Sequence, residues 1–383
     1  MDRLINQLPF FNPEHLNLAQ TVAQFVASEI EPRAAENEED VERAARHFVS
    51  LLASTGILKF AVATTKLDIR ALCLIREALA YSSSLADLAF VMQGLGTYAI
   101  SQAAPDHVRE FWLSRAANGK AIAAFALTEP EAGSDVAAIQ TTARRDGETY
   151  VIDGRKRFIS NAGIADFYTV FAKTGTREDG RAALSAFVVG SKMQGFSVAQ
   201  RTPLMAPHPI GEIVFDGCRV PAEDMVGNEG DGFKLAMETL DTFRASVGAA
   251  ACGMARRALD EAVSYASARK QFGRFLAEHQ LVQAKLADMI TELDAARLLV
   301  YRAAYAKDTG TSRVTREASE AKLFATEAAG RIIDSAVQIH GGTGLVSGTV
   351  VERLYRDVRA LRIYEGTSEI QKLVIAGQLL KEH

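Results

Sequence analysis

The sequence predicts an α+β fold that is mostly helical, and three observations predict it. Residues 1–120 are rich in Ala and Leu, show helical periodicity and carry few turn signals. Residues 121–230 alternate β-branched and aromatic residues with polar ones. Residues 231–383 return to helical periodicity. We therefore predict an N-terminal helical domain, a middle antiparallel β domain and a C-terminal helical bundle.

Two polar residues in the first segment are predicted to begin helices. Asn17 and Asp68 each precede an apolar-periodic run. Such side chains accept hydrogen bonds from the free N–H groups at a helix start. After Gly56–Leu58, residues 61–66 lead almost directly into the helix expected after Asp68.

Strand and turn signals alternate in the middle segment. Tyr150–Ile152 and Phe167–Phe171 are typical of strands. The dipeptides Asp146–Gly147, Asp153–Gly154 and Asp179–Gly180 are predicted turns, because Asp–Gly between alternating runs favours a hairpin.

The third segment contains an apolar stripe with spacings of four and three residues. Its members are Val282, Leu286, Met289, Leu293, Ala296, Val300 and Ala303. This periodicity predicts one long helix of a bundle, with its Ala positions allowing close helix approach.

Composition excludes several function classes. The 383 residues are 48% hydrophobic and 23% charged, as in ordinary globular proteins, with a formal net charge of −4. Without a Lys/Arg cluster, binding to nucleic acid or to a membrane surface is not expected. No run of about 20 apolar residues predicts a membrane span, and residues 1–12 resemble neither a signal peptide nor a transit sequence.

The cysteines indicate a reducing compartment. Cys73, Cys218 and Cys252 are widely spaced and odd in number. They fit neither a disulfide framework nor a metal site, so buried free thiols are expected and no metal is predicted. This cysteine usage suits a reducing compartment, so we expect a cytoplasmic protein or a mature organellar form.

Phe125–Asp135 is the first candidate ligand-binding segment, an apolar strand that runs into a loop. Thr128, Gly133 and Ser134 offer hydroxyls and backbone N–H groups, and Gly lets a ligand approach the backbone closely. An ordinary strand-to-loop turn has the same appearance.

Phe158 and Ser160, in the second segment Lys156–Gly163, are two residues apart and are predicted to point to one face of a strand. The ring could then cover a planar ligand whose edge the hydroxyl bonds. A half-buried core Phe is the common alternative.

The third segment, Arg269–Gly273, is a polar break between helical runs. Arg269 could hold a phosphate through two hydrogen bonds while Phe272 packs against an aromatic base. A solvated loop is the commoner explanation.

The fourth segment, Ile363–Gln371, contains a candidate base. Ser368 and Gln371 form a predicted capping box, so a helix should begin there. Glu365 follows a largely apolar approach and precedes Gly366. Burial against apolar surface would raise its pKa and make it a better base. A lone Glu of this kind is more often exposed.

Together these segments resemble the acyl-CoA dehydrogenase family in order and approximate spacing, over residues 15–380. The resemblance is carried by Thr-Glu-Pro-x-Ala-Gly-Ser-Asp (128–135) and Ile-Tyr-Glu-Gly-Thr-Ser (363–368). Arg-Lys-Gln-Phe-Gly (269–273) and Gln-x-His-Gly-Gly-x-Gly (338–344) support it. It implies an FAD cofactor, a C-terminal four-helix bundle, and homo-oligomers that are usually tetramers.

The resemblance also implies cofactor contacts. The residues expected along the flavin and its phosphates are Phe125, Leu127, Thr128, Gly133, Ser134, Phe158 and Ser160. Those expected to reach the FAD of a neighbouring subunit are Arg269, Gln271, Phe272, Gln280, Gln338, Gly341 and Gly342. Thr367 and Glu369 would also face the cofactor.

The implied reaction is α,β-dehydrogenation of an acyl thioester. Glu365 matches the family's base for the α-proton, while FAD takes the β-hydride. The positions expected to contact the substrate are Ser134, Asp241, Arg244 and Gly366. In some relatives the base precedes the residue that corresponds to Arg244. Phe243 stands there in this chain and cannot serve, so Glu365 is the candidate.

The absence of Lys and Arg between Arg76 and Arg109 bears on the substrate. A buried substrate carboxylate without a cation would be costly, so we predict a neutral acyl chain and disfavour glutaryl-type substrates. An electron-transfer flavoprotein is the expected electron acceptor.

Three alternatives remain open. The short segment 61–66, and Gly377 where relatives often carry Arg, leave open an acyl group on a carrier protein as the alternative to acyl-CoA. A flavin monooxygenase or oxidase on the same scaffold would not need Glu365. A non-catalytic relative would not need the flavin contacts.

Overall fold

A computed structural model describes residues 5, 7–34, 40–311 and 313–382. Residues 1–12 are predicted not to be a targeting sequence. Of these, residues 1–4 and 6 lie outside the described residues. Helices, strands and helices follow one another in the predicted order.

The first segment is helical, as predicted. Its helices are α1 (Pro13–Phe25), α2 (Val41–Ser54), α3 (Ile69–Ser82), α4 (Ser84–Ala103) and α5 (Asp106–Ala117), with short helical turns at Val26–Ile30, Glu31–Arg33 and Ile57–Phe60. Asp68 caps α3, its carboxylate accepting from the Ala71 N–H at 2.9 Å. The prediction for Asn17 was wrong. Helix α1 begins one turn earlier because Asn12 accepts from the His15 N–H and is followed by Pro13, which is favoured in a first turn.

The middle segment forms one twisted sheet. Its strands are β1 (Ala123–Ala126), β2 (Thr142–Asp146), β3 (Thr149–Ser160), β4 (Phe167–Thr176), β5 (Ala182–Gly190), β6 (Phe196–Arg201), β7 (Ile210–Pro221) and β8 (Met225–Val226). They lie in the order β6-β7-β3-β2-β4-β5-β8, with β1 beside β4. The β2–β3, β3–β7, β6–β7, β4–β5 and β5–β8 pairs are antiparallel, as expected. Strands β1 and β2 instead meet β4 in parallel.

Two of the three predicted Asp–Gly turns are confirmed. Asp146–Gly147 joins β2 to β3, and Asp179–Gly180 lies between β4 and β5. Asp153–Gly154 instead lies inside β3, where the register against β7 shifts between Ile152 and Gly154. This Gly forms a β-bulge. From the local sequence alone, such a bulge cannot be distinguished from a turn.

Long helices dominate the third segment. They are α6 (Gly232–Ala268), α7 (Gln280–Asp308), α8 (Thr315–His340), α9 (Val350–Val358) and α10 (Ser368–Leu379), with a small hairpin of β9 (Lys270–Gln271) and β10 (Arg274–Phe275) between α6 and α7. The predicted stripe lies on α7. Its members Met289, Leu293, Ala296, Val300 and Ala303 are buried, and Val282 and Leu286 pack against the core. A Cβ on Gly253 of α6 would lie 2.1 Å from the Glu77 carbonyl oxygen of α3, so only Gly permits this approach.

One large apolar core runs through all three segments. It joins Leu72 and Phe90 of the first helices to Ile213 of the sheet and to Val247 and Ile333 of the bundle. The three cysteines are buried and free, as predicted. Within the described ranges, no helix is long and apolar enough to cross a membrane.

Candidate active site

A buried ion pair anchors the first candidate loop. Lys156, fully buried near the end of β3, donates from Nζ to Glu129 Oε1 at 2.8 Å and to the Leu127 carbonyl at 3.1 Å. Burial lowers the Lys156 pKa to about 8, against the opposing charge of Glu129. Burial alone would raise the Glu129 pKa, but Lys156 outweighs it and the pKa falls. The pair therefore clamps both sides of Thr128.

The end of β3 does not have regular strand geometry. The Arg157 N–H donates to the Thr128 carbonyl at 2.9 Å, so this strand end lies directly beside the loop. Phe158 has φ 55° and Asn161 has φ 63°, and the register against β7 shifts between Lys156 and Ile159. The regular alternation from which we predicted a shared face for Phe158 and Ser160 is therefore absent. Left-handed non-Gly residues are strained and are often found at functional sites.

Phe158 and Ser160 nevertheless lie beside the Thr128 loop. The Phe158 ring is 48% exposed, with the Arg157 guanidinium over it at 4.9 Å from the ring centre. Ser160 is half-buried, and its Oγ lies 2.7 Å from His208 Nε2. An accessible aromatic face and a fixed hydroxyl thus adjoin the Thr128 loop.

The Phe125–Asp135 loop offers both apolar and polar surface. Phe125 packs on Phe171 at 5.1 Å between ring centres, and Leu127 is buried. Thr128 is half-buried, whereas Gly133 and Ser134 are exposed. A Cβ added to Gly133 would meet nothing within 4 Å, so the backbone there is open to a ligand.

Glu365 has a carboxylate suited to proton transfer. Its Oε2 is buried, and among the described residues it has no hydrogen-bond partner. Burial raises the Glu365 pKa, while the charges of Arg76, Lys322 and Arg244 oppose that rise. The residue has φ 54°, another strained non-Gly conformation. Unlike Lys156 and Glu129, this carboxylate is left free to accept a proton.

The backbone around Glu365 is held from two sides. Lys322 Nζ of α8 donates to the Gly366 carbonyl at 2.7 Å, and Gln371 Nε2 donates to the same oxygen at 3.0 Å. Gly366 has φ 91°, and a Cβ there would lie 2.5 Å from Gln371 Nε2. A larger residue would disturb this turn.

Helix α10 begins where the fourth segment predicted, although its cap is displaced. Thr367, not Ser368, is the capping residue, with its hydroxyl accepting from the Ile370 N–H at 3.4 Å. Ser368 Oγ instead donates to Glu327 at 2.6 Å. The Gln371 side-chain amide donates to the backbone carbonyls of Glu365 and Gly366. Thr367 is half-buried and Glu369 is exposed.

A buried ion pair connects the first helices to the Glu365 segment. Arg76 of α3 donates to both carboxylate oxygens of Asp87, at 2.8 and 2.7 Å, and to Ser246 Oγ at 2.9 Å. The charge of Arg76 also acts on Tyr364, the residue before Glu365. Arg76 therefore lies close to the Glu365 segment, and Asp87 neutralises its charge.

Asp241 and Arg244 lie on α6 and contact each other. Asp241 also accepts from Thr315 Oγ1 at 2.9 Å, and Arg244 is buried near Ser319 Oγ at 3.3 Å. Because the charge of Arg244 acts on Glu365, this pair belongs to the same region as the carboxylate.

The residues expected to meet a neighbouring subunit lie on the surface. Arg269, Gln271, Phe272, Gln280, Gln338, Gly341 and Gly342 are all exposed. The Phe272 side chain is 95% exposed, with its ring 6.2 Å from that of His279. Tyr265 stacks on His340 at 4.3 Å, which brings the ends of α6 and α8 together. These residues thus form one surface, defined here as the α6–α8 end surface, separate from the Thr128 loop.

The residues around Thr128 and Glu365 fit a flavin and its substrate. The exposed Phe158 ring and the Ser160 hydroxyl adjoin the Thr128 loop, Gly133 leaves backbone accessible, and a Glu365 carboxylate oxygen is buried without a partner among the described residues. A planar cofactor with hydrogen-bonding edges requires such a surface, and a C–H acid requires such a base.

Comparisons with known proteins identify the family of the chain. The family models for the acyl-CoA dehydrogenase N-terminal, middle and C-terminal domains match residues 12–120, 124–218 and 230–380. These matches put the protein in the class of FAD-dependent oxidoreductases that act on CH–CH bonds of CoA thioesters. The chain belongs to the acyl-CoA dehydrogenase family.

Individual relatives cover most of the chain. A 3-(aryl)acrylate reductase of Clostridium sporogenes is 41% identical over 97% of this chain and 100% of its own. The caffeyl-CoA reductase-Etf complex subunit CarC of Acetobacterium woodii is 44% identical over 71% of this chain and 72% of its own. The structure of butyryl-CoA dehydrogenase from Megasphaera elsdenii has a TM-score of 0.89 and 34% identity, covering 97% of this chain and 99% of that one.

Sequence reasoning missed the residues that support the site. No local pattern in the sequence assigns a role in the site to Lys156, Lys322, His208 or Asp87. Lys156 stands between Arg155 and Arg157, and Lys322 follows Glu320 by two residues, so neither lysine differs locally from an ordinary charged surface position. Their partners lie 27 and 44 residues away along the chain, so pairing could not be inferred locally.

Proposed function

We propose that the protein removes the α-proton of an acyl-CoA thioester with Glu365 while bound FAD accepts the β-hydride. The observation that carries the proposal is the buried Glu365 Oε2, which lacks a partner among the described residues and has a raised pKa. Because burial raises the Glu365 pKa, its carboxylate is a stronger base than an exposed Glu and can better share a carbon-bound proton in the transition state.

The chain's own residues prepare the substrate for this step. Lys322 and Gln371 fix the turn through the Gly366 carbonyl, which orients the Glu365 carboxylate and its backbone N–H. That N–H is proposed to donate to the thioester carbonyl and to stabilise negative charge as the α-proton leaves. FAD supplies the oxidising chemistry, and Thr128, Phe158 and Ser160 are proposed to bind and orient it.

We further propose that the acyl chain is neutral. Arg76 is a fully buried cation of the first helices whose charge acts on Tyr364, and its guanidinium already donates two hydrogen bonds to Asp87. A second substrate carboxylate would have to displace Asp87 or remain unpaired, and either is costly. Turnover of glutaryl-CoA at the rate of a simple acyl-CoA of similar length would contradict this proposal.

We infer a second copy of the chain as a partner in cofactor binding. The α6–α8 end surface exposes Arg269 for a phosphate and Phe272 for a base. Such residues gain a role when another subunit brings its FAD to them. A homotetramer is the proposed assembly, and sedimentation with and without FAD measures it.

An electron-transfer flavoprotein is the proposed acceptor for the reducing equivalents. The Acetobacterium woodii relative is named as a subunit of a caffeyl-CoA reductase-Etf complex. Reduced protein that is reoxidised by an electron-transfer flavoprotein much faster than by oxygen supports this choice. Rapid oxygen consumption would instead favour an oxidase.

Absorption spectroscopy of the purified protein tests the reaction. We expect bound flavin, bleached anaerobically by saturated acyl-CoAs and restored by the matching enoyl-CoA. A colourless protein that does not take up FAD would refute the assignment of the cofactor site. Bleaching only by acyl groups on a carrier protein would replace CoA by that carrier. Reoxidation by enoyl-CoA without bleaching by acyl-CoA would reverse the direction, as in relatives named reductases.

A further inference from the structure

A turn at the end of the sheet covers the strand end that carries Ser160. The Asn161 N–H donates to the Pro209 carbonyl at 2.6 Å, and the Thr202 N–H donates to the Ile210 carbonyl at 2.9 Å. Arg356 of α9 bonds the Met205 carbonyl at 3.3 Å. Residues 202–210 are therefore fixed to β3 on one side and to the C-terminal bundle on the other.

His208 lies in this turn and bonds Ser160. Its Nε2 lies 2.7 Å from Ser160 Oγ, a distance at which one proton is shared between the two atoms. Burial lowers the His208 pKa to about 4, so the imidazole is neutral near pH 7. A neutral imidazole has one nitrogen that donates and one that accepts, and either nitrogen can take either role.

The tautomer of His208 decides which way the Ser160 hydroxyl points. With hydrogen on Nε2, His208 donates to Ser160, whose own hydrogen is then free for another acceptor. With hydrogen on Nδ1, Nε2 accepts the Ser160 hydrogen, and the free Ser160 lone pairs can accept from another donor. A neutral His can therefore change the polarity of this hydroxyl without moving net charge.

We propose that His208 is a positioning residue that sets the Ser160 hydroxyl as donor or acceptor toward the redox-active edge of the bound flavin. This inference rests on the proposed function, in which Ser160 contacts that edge. The reacting ring nitrogen of a flavin accepts a hydrogen bond when oxidised and carries N–H when reduced. A hydroxyl whose polarity can invert suits both states, whereas a hydroxyl of fixed polarity favours one of them.

The test compares His208→Ala, His208→Gln and Ser160→Ala by the midpoint potential of bound FAD. We expect His208→Ala to change the ratio of oxidised to reduced FAD at a fixed potential by about fivefold, the effect of one net hydrogen bond. His208→Gln should stay close to the native protein, because its amide can also donate or accept. His107→Ala, at an exposed position of α5, is the matched control and should leave the potential unchanged.

A double variant separates positioning from a structural role. If His208 acts through Ser160, then His208→Ala should have no further effect on the potential in the Ser160→Ala background. A merely structural His208 would lower the melting temperature and leave the potential unchanged, and that result would overturn the inference. An equal shift with and without Ser160 would overturn it too. FAD content is measured in every variant. Loss of FAD binding by the native protein would refute the proposed function itself, a distinct outcome.

Discussion

Two buried lysines, one beside the Thr128 loop and one beside the Glu365 segment, show how similar groups can have different roles. Lys156 and Lys322 are both fully buried, and burial lowers the pKa of each to about 8. Lys156 bonds the Glu129 carboxylate directly. Lys322 bonds the Gly366 carbonyl and acts on Glu365 only through its charge.

The difference lies in what happens to each carboxylate. Glu129 accepts from Lys156 and from the N–H groups of Gln140 and Thr141 at 2.6 and 3.0 Å, and its pKa is lowered. Glu365 keeps a buried oxygen without a partner in the described chain, and its pKa is raised. The first arrangement is a clamp, and the second leaves a base able to accept a proton.

The largest effect on folding is expected from Lys156→Met. Glu129 would remain buried without its cation, so the free energy of unfolding should fall by about 3–5 kcal/mol. FAD content should also fall, because the Thr128 loop would lose its anchor. Chemical denaturation and flavin absorbance measure the two effects. Lys192→Met, at an exposed site, is the control. Adding Glu129→Gln to Lys156→Met should recover part of the loss, and an unchanged single variant would show that the pair is not a clamp.

Lys322→Met should mainly affect the pH dependence of activity. Protonated Lys322 favours the Glu365 carboxylate, so its removal raises the Glu365 pKa further. The base is active when ionised, and activity rises as pH passes upward through its pKa. The acidic limb of kcat should therefore move to higher pH by about one unit, with FAD retained. A limb that stays in place would show that Lys322 does not act on the base.

Asp87→Asn should move the same limb in the opposite direction and by less. Asp87 raises the Glu365 pKa and neutralises Arg76. Without its charge, Arg76 favours the carboxylate, so the Glu365 pKa falls and the limb moves to lower pH. The shift should be less than about one unit, because Asp87 is the weakest of the named influences on Glu365. A shift to higher pH would contradict this arrangement of charges.

The contrast between the Thr128 loop and the Glu365 segment also explains which features could be predicted from the sequence. Helical and strand periodicity located the three segments, and the α7 stripe was identified residue by residue, because apolar spacing is local information. Local signals failed where tertiary contacts decide the outcome. Gly154 marks a bulge against β7, and Phe158 takes a left-handed conformation beside Thr128.

The candidate base and its supports differ in the same way. Glu365 could be selected from its apolar approach, Gly366 and the family resemblance. Lys322, Arg76 and Asp87 could not, because each reaches the Glu365 segment from a different helix. Electrostatic tuning of a site depends on such distant residues, and a single sequence carries no signal for their pairing.

The central claim is that Glu365 removes the α-proton, and anaerobic flavin bleaching by acyl-CoA in Glu365→Gln tests it most directly. The account predicts full FAD content and a bleaching rate lower by at least about 10³-fold, with Glu178→Gln, at an exposed loop position, unchanged. Bleaching by Glu365→Gln at the native rate would contradict it.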